Sequence, residues 1–256
     1  MPFSLSKWYL DVVTDDGRVA IAYWAEVSAG GMQHAVCGLA RAGGATTSST
    51  FSLVGAHRPR LLSDRLLWHA PSLELDVELL RLSPEASRRL LDSPDGAVDW
   101  MAWAPSADVR MRIGDELLRG EGYAERVDLS IAPWALPLRT LVWGRWVSGS
   151  RSAIWLVWEG RHPLRLAWLD GVPAPAPDVG EGEVSLGAAG RLVFAGREMV
   201  TDASVGEQLT SLTPLRTLID RVAQSHQTRW CSRGTLHAAG ERPLDGWAIH
   251  EVVQWG

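Results

Sequence analysis

The sequence predicts an all-β fold of short antiparallel strands. Three observations lead there. Apolar and polar residues alternate with a period of two, as in 73–82, where Leu73, Leu75, Val77 and Leu79 oppose Glu74, Asp76 and Glu78. Turn residues punctuate such runs at short intervals, beginning with Asp16-Gly17. Helix signals are few. Together these features fit barrels or sandwiches.

In order along the chain, 7–13 and 18–27 read as a hairpin across Thr14-Asp15-Asp16-Gly17. Strands follow at 32–41, 49–57 and 73–82. Ser83-Pro84-Glu85 offers an N-cap, a first-turn proline and an acidic first turn, which predicts a short helix through Leu91. Two strands follow, at 97–105 and 108–113. A second half opens near Gly114, with strands at 121–130, 138–148, 152–159 and 163–169. Pro133-Trp134 and Leu136-Pro137 interrupt the strands and predict a rigid lip or corner. A Pro/Gly loop covers 171–182, and a short strand pair follows it. Thr213 and Pro214, with Leu215, Leu218, Ile219 and Val222 at helical spacing, predict the best helix, near 214–223. Strands at 227–238 and 246–255 close the sequence. No residue-level repeat stands out.

The composition narrows the class. Hydrophobic residues make up 46% and charged residues 21%, enough for a full core and contrary to disorder. The 256 residues fit one large all-β domain or two smaller ones. A net charge of −5, with dispersed basic residues, leaves no footprint for nucleic acid. No apolar run reaches the roughly 18 residues of a membrane helix, so no transmembrane segment is expected. The start of the chain lacks a signal-peptide pattern, and Cys37 and Cys231 are too far apart in sequence for a metal or redox motif. A cytoplasmic protein with free thiols is the expectation. Of the 25 Lys and Arg residues only Lys7 is a lysine, so any Schiff-base chemistry on a lysine has one candidate. Motifs for a serine hydrolase elbow, a P-loop, a dinucleotide fold and a zincin are all missing. The seven histidines do not pair at metal-ligand intervals, so no metal is expected.

Fourteen tryptophans are the compositional anomaly. They fill strand cores or line a large apolar cavity with indoles. Trp24, Trp143, Trp155, Trp158, Trp230 and Trp247 are the candidates for lining it. Trp155 and Trp158 differ by three positions and so face opposite sides of one strand.

Three carboxylates stand on apolar strand faces. In GYAERVDLSIAPWALPLRTLVWGRW (122–146), Glu125 shares a face with Tyr123, Val127 and Leu129. In GWAIHEVVQW (246–255), Glu251 shares one with Trp247, Ile249, Val253 and Trp255. Asp11 shares one with Tyr9 and Val13. Glu125 and Glu251 are each either a structural ion-pair member or a working acid, and Asp11 is either an interior acid or holds the Asp15-Asp16-Gly17 turn region. The structural partners would be Arg139 or Arg145 for Glu125, and Arg229 or Arg233 for Glu251. A carboxyl in an apolar pocket has its pKa raised and can act as a general acid near neutral pH. Tyr123 and Arg145 could supply hydrogen bonds to a substrate.

KWYLDVVTDDGR near the start, GEGYAERVDLSIAPWALPLRTLVWGRW in the middle, and RWCSRG with GWAIHEVVQW at the end carry a family resemblance. The sequence resembles the lipocalin-like superfamily of hydroxyneurosporene synthase (carotenoid 1,2-hydratase). That superfamily also holds tocopherol cyclase and decalin-forming fungal Diels–Alderases. The resemblance implies two lipocalin-like antiparallel β-barrel domains packed together, here 1–114 and 115–256. It also implies an apolar small-molecule substrate and no metal or organic cofactor. Hydration, cyclisation and pericyclic chemistry occur on this fold, so fold alone does not fix the reaction. Three functions stay open. One is a hydratase or cyclase that protonates a polyene or terpenoid C=C bond through Glu125, Glu251 or Asp11, with indoles stabilising the cation. The second is a cycloaddition driven by substrate pre-organisation. The third is a carrier of a lipid, quinone or isoprenoid. The oligomeric state is not legible.

Overall fold

The computed structural model describes residues 3–42, 47–51, 57–204 and 225–255. Its strands form two antiparallel sheets. The first contains β1 (Ser4–Val13), β2 (Val19–Ala29), β3 (Met32–Arg41), β4 (Thr47–Phe51), β5 (Arg60–Leu62), β6 (Arg65–Ala70), β7 (Leu75–Arg81), β8 (Ala86–Ser93), β9 (Gly96–Ile113) and β10 (Glu116–Leu129). Its order is β4-β3-β2-β1-β10-β9-β7-β6-β5, with β8 paired to β9. The second contains β11 (Leu138–Ser148), β12 (Arg151–Gly160), β13 (Leu164–Leu169), β14 (Val172–Ala174), β15 (Asp178–Val179), β16 (Glu183–Ser185), β17 (Arg191–Ser204), β18 (His226–His237) and β19 (Leu244–Gln254). Its order is β14-β13-β12-β11-β19-β18-β17-β16-β15. Both sheets follow one plan: the first strand pairs with the last, and a meander runs outward from each. The sequence shows no repeat, yet the topology does.

Each sheet curls around its own core. Trp8, Trp24, Trp68 and Trp103, on strands from both wings of the first sheet, meet in one buried cluster. Trp146, Trp155, Val184 and Leu236 do the same in the second sheet. A third cluster lies between the sheets. There Tyr9, Ile21, Trp100 and Tyr123 of the first sheet pack against Trp143, Leu156, Trp158 and Trp168 of the second. Strand alternation assigns each residue its core. On β1, Trp8, Leu10 and Val12 point into the first curl, while Tyr9 and Val13 point to the interface. Two curled, barrel-like sheets packed together match the architecture expected from the resemblance.

Several elements differ from the expectations. The segment after Ser83 is a strand, β8, and not a helix. The Ser83 hydroxyl accepts the Ser106 amide at 2.9 Å instead of capping a helix, and Arg89 pairs with Asp99 across β9. The two strands expected at 97–105 and 108–113 are one long strand, β9. Two short strands, β14 and β15, fall within the expected loop 171–182. The expected division at residue 114 lies inside the first sheet, because β10 pairs with both β1 and β9. The chain changes sheet at 130–137, through a 3-10 turn at Pro133–Ala135. The helix expected near 214–223 lies outside the described residues.

Candidate functional site

The packed sheets leave a mostly apolar cavity of about 380 Å³ between them. That volume is within the range of small-molecule sites. Pro133, Trp134 and Leu136 of the sheet-changing turn form part of its wall. The expected lip is therefore a cavity element.

Two rows of side chains cross the cavity walls. On the first sheet, Tyr9 of β1 lies opposite Tyr23 of β2 on one side and opposite Glu125 of β10 on the other. On the second sheet, Glu251 of β19 lies opposite Trp143 of β11 and Arg229 of β18. The rows touch across the interface. The Tyr9 and Trp143 rings stand 5.5 Å apart, edge to face, and the Arg229 guanidinium lies 5.2 Å from the Tyr9 ring.

The two inward glutamates differ in their partners. Glu251 is paired: its Oε2 accepts Arg229 Nε at 2.7 Å and Gln227 Nε2 at 2.7 Å. Arg229 is thus the partner expected from the preceding strand, and Arg233 is not. Glu125 has neither expected arginine. Its Oε2 accepts the Trp100 indole N–H at 2.7 Å and the Tyr123 hydroxyl at 2.7 Å. Among the described residues no cation forms an ion pair with it. Burial pushes the Glu125 carboxyl above its ordinary value, and the two hydrogen bonds pull the other way. Both donors occupy Oε2, so the proton of the neutral acid belongs on Oε1.

A register irregularity on the β9 side of β10, between Gly122 and Glu125, sets this geometry. Bulges re-aim side chains. Here Tyr123 and Glu125 stay on one face, and Trp100 reaches Glu125 from the neighbouring strand. Tyr123 is buried and hydrogen-bonded, and burial raises its own pKa well above the ordinary value. It acts as a positioning group for Glu125.

Other expected site residues lie elsewhere. Asp11 is fully buried and forms a two-pronged ion pair with Arg145, which also donates to the Trp247 carbonyl at 2.8 Å. Neither lines the cavity; together they tie β1 of one sheet to β11 of the other. Trp24 and Trp155 point into the two curled cores. Trp230 has the phase opposite to Arg229 and stacks with His250. Trp247 is on the expected face of β19 but four residues from Glu251, about 13 Å along a strand. It packs by the Gly17 turn under Arg233. Trp143 and Trp158 do line the cavity.

The sequence reading missed Tyr9, Tyr23, Trp100, Gln227 and Arg229 as cavity residues, and it noticed Lys7 only for its rarity. Tyr9 and Lys7 share the phase of Asp11, a signal available in the sequence. Lys7 is half-buried in the cavity wall. Burial holds its ammonium below the ordinary lysine value, Glu251 and Glu125 oppose that, and Arg229 adds to it. Among the described residues no group of three or more His, Cys, Asp or Glu is placed to hold a metal ion, and no helix is long and apolar enough to cross a membrane.

No family model and no curated protein matches the sequence. Solved structures do match. Kievitone hydratase from Nectria haematococca aligns with a TM-score of 0.58 at 10% identity, over 97% of this chain and 88% of that one. CghA crystallised with Sch210972 aligns at 0.55 and 12% identity, over 100% and 89%. An AttH protein of Nitrosomonas europaea aligns at 0.54 and 10% identity, over 98% and 92%. The chain shares their fold along nearly its whole length, as the superfamily resemblance implied.

Proposed function

We propose that the protein is a cofactor-independent hydratase or cyclase that acts on an elongated apolar substrate, a polyene or terpenoid, between the two sheets. The observation that carries this reading is Glu125: a carboxyl on an apolar cavity wall, with a raised pKa, two neutral hydrogen-bond donors and no ion pair among the described residues, Lys7 acting on it only at a distance. A structural carboxylate in such a place is ordinarily paired, as Glu251 is.

In this reading a substrate C=C bond takes the proton from Glu125 Oε1. The π electron pair forms the new C–H bond, and the O–H pair remains on the carboxylate. Trp100 and Tyr123 stabilise that carboxylate through Oε2. The carbocation faces the indoles of Trp143 and Trp158, a cation–π environment. A water or a second C=C bond then captures the cation, and the surplus proton returns to Glu125. That one structural neighbour is named a hydratase agrees with this chemistry by analogy of fold only.

The carrier reading draws on the Arg229–Glu251 pair, which seals part of the wall. One experiment separates the two. Native mass spectrometry with organic extraction of freshly purified protein supplies a candidate ligand, which is then incubated with fresh enzyme. The expected product gains one water or is an isomer of equal mass. Glu125→Gln is expected to abolish turnover and retain the strand circular dichroism signal. Because the acid form is required, kcat/KM should fall as pH rises, with a midpoint above 4.5. Unchanged turnover in Glu125→Gln would remove the residue from the mechanism; an extracted ligand that never changes would favour carriage.

A further inference from the structure

The cavity wall is mostly apolar and carries few polar side chains. The Tyr9 and Tyr23 hydroxyls and the Trp143 and Trp158 indole N–H groups are buried and have no hydrogen-bond partner among the described residues. All four residues line the cavity. These atoms are themselves covered by protein, so they add polarity to the wall without offering a ligand a direct hydrogen bond. The strand registers group them. Trp143 lies opposite Leu156 and Trp158 opposite Leu141, so the two indoles are diagonal neighbours on one wall. Tyr23 is on the facing wall, held across Gly38, where an added Cβ would stand 2.3 Å from its hydroxyl.

The charges add to this. Besides the tyrosines, five ionisable side chains line the cavity: Lys7, His34, Arg229, Glu125 and Glu251. Arg229 and Glu251 neutralise each other at hydrogen-bond distance. Glu125 is the neutral acid of the proposed reaction. Lys7 is then the unmatched cation, and its amine enters no hydrogen bond or ion pair among the described residues. Its ammonium lies 5.9 Å from the Tyr23 ring. Lys7 is two residues along β1, on the same face, from the Tyr9 that opposes both Tyr23 and Glu125.

From this arrangement we infer that the natural ligand carries a carboxylate at one end of its apolar body, seated on the Lys7 ammonium. A carboxylate only accepts hydrogen bonds and brings the negative charge that Lys7 lacks. The apolar body extends between Trp143, Trp158 and Trp100, which places a C=C bond within the reach of Glu125. A plain hydrocarbon would leave the ammonium unmatched. A primary amine head would set a second cation against Lys7. This inference rests on reading the cavity as the substrate site and specifies the end group of that substrate.

The test uses cis-parinaric acid, a fluorescent polyene acid, and its methyl ester. Both are titrated into the full-length protein, with energy transfer from tryptophan as the readout. The acid is expected to bind about tenfold or more tightly than the ester, the gain of a charge-assisted hydrogen bond. Lys7→Met should erase that preference by weakening binding of the acid, and continued binding of the ester verifies that the variant's cavity is intact. Equal binding of acid and ester to the wild type would overturn the carboxylate inference and leave the cavity reading standing. So would an acid preference that survives Lys7→Met. If neither probe binds, the cavity reading falls and takes this inference with it.

Discussion

His250 stacks against both Phe194, at 4.9 Å, and Trp230, at 5.5 Å, and its Nε2 lies 3.1 Å from the Ser232 hydroxyl. Burial, with the Arg197 charge adding to it, lowers its pKa from 6.5 to about 4. A group whose folded value is depressed binds protons more readily when unfolded. Its contribution to stability is full above 6.5 and is lost as pH falls through about 4. The gap is worth about 3 kcal/mol. His250→Phe keeps a stacking ring and removes the titration. Its urea midpoint should therefore change less than that of the wild type across this interval, and equal slopes would show that other groups dominate acid unfolding. Glu125 illustrates how far a single residue was legible. Its face followed from alternation alone, but its partners did not. Trp100 is 25 positions away and meets Glu125 only because β9 and β10 pair in one particular register.

The elements owe their shapes to a few small residues. Gly144, at the middle of β11, faces Trp155 on β12 and His250 on β19. An added Cβ there would stand 2.1 Å from the Trp155 ring and 2.8 Å from the His250 Cβ. Gly144→Ala should lower stability by about 1–3 kcal/mol, the cost of overpacking a filled core. Urea unfolding followed by tryptophan emission measures it, and a neutral result would mean that the Trp155–Phe194 stack can yield. Strand positions were readable wherever alternation was clean: β3 and β11 occupy the expected 32–41 and 138–148. The segment after Ser83 was misread because its helix signals are local, whereas pairing to β9 is a tertiary gain that overrides local propensity.

At the scale of the molecule, the two sheets are fastened by chemistry that only their packing creates. Asp11 and Arg145 are fully buried, 134 positions apart, and lie on different sheets. Burial raises the Asp11 pKa and Arg145 opposes that, so the carboxylate depends on its partner. Removing one member strands the other charge. Arg145→Met alone should cost about 3–5 kcal/mol. The double variant Asp11→Leu with Arg145→Met should recover much of that loss, since an apolar pair leaves no unmatched charge. Urea titration of the three proteins tests this; a double variant as unstable as the single one would show that the guanidinium's bond to the Trp247 carbonyl carries the interface. The same packing creates the cavity. Its walls are the outer faces of two curled sheets, so the site exists only where the sheets meet.

The sequence by itself determined the all-β class, most strand positions, the face of each strand residue and the presence of two inward glutamates. These are local properties, because side-chain alternation needs no knowledge of neighbouring strands. It also narrowed the partner of Glu251 to Arg229 or Arg233, since hairpin strands are neighbours in the chain and in space, and the structure chose Arg229. Only the tertiary structure decided which apolar faces became curled cores and which became cavity walls. It placed Trp24 and Trp155 in the former, and Trp143 and Trp158 in the latter. It gave Arg145 to Asp11 and left Glu125 without an ion pair among the described residues. Those outcomes follow from sheet order and from the contact between two sheets, which are set by non-local burial rather than by any stretch of sequence.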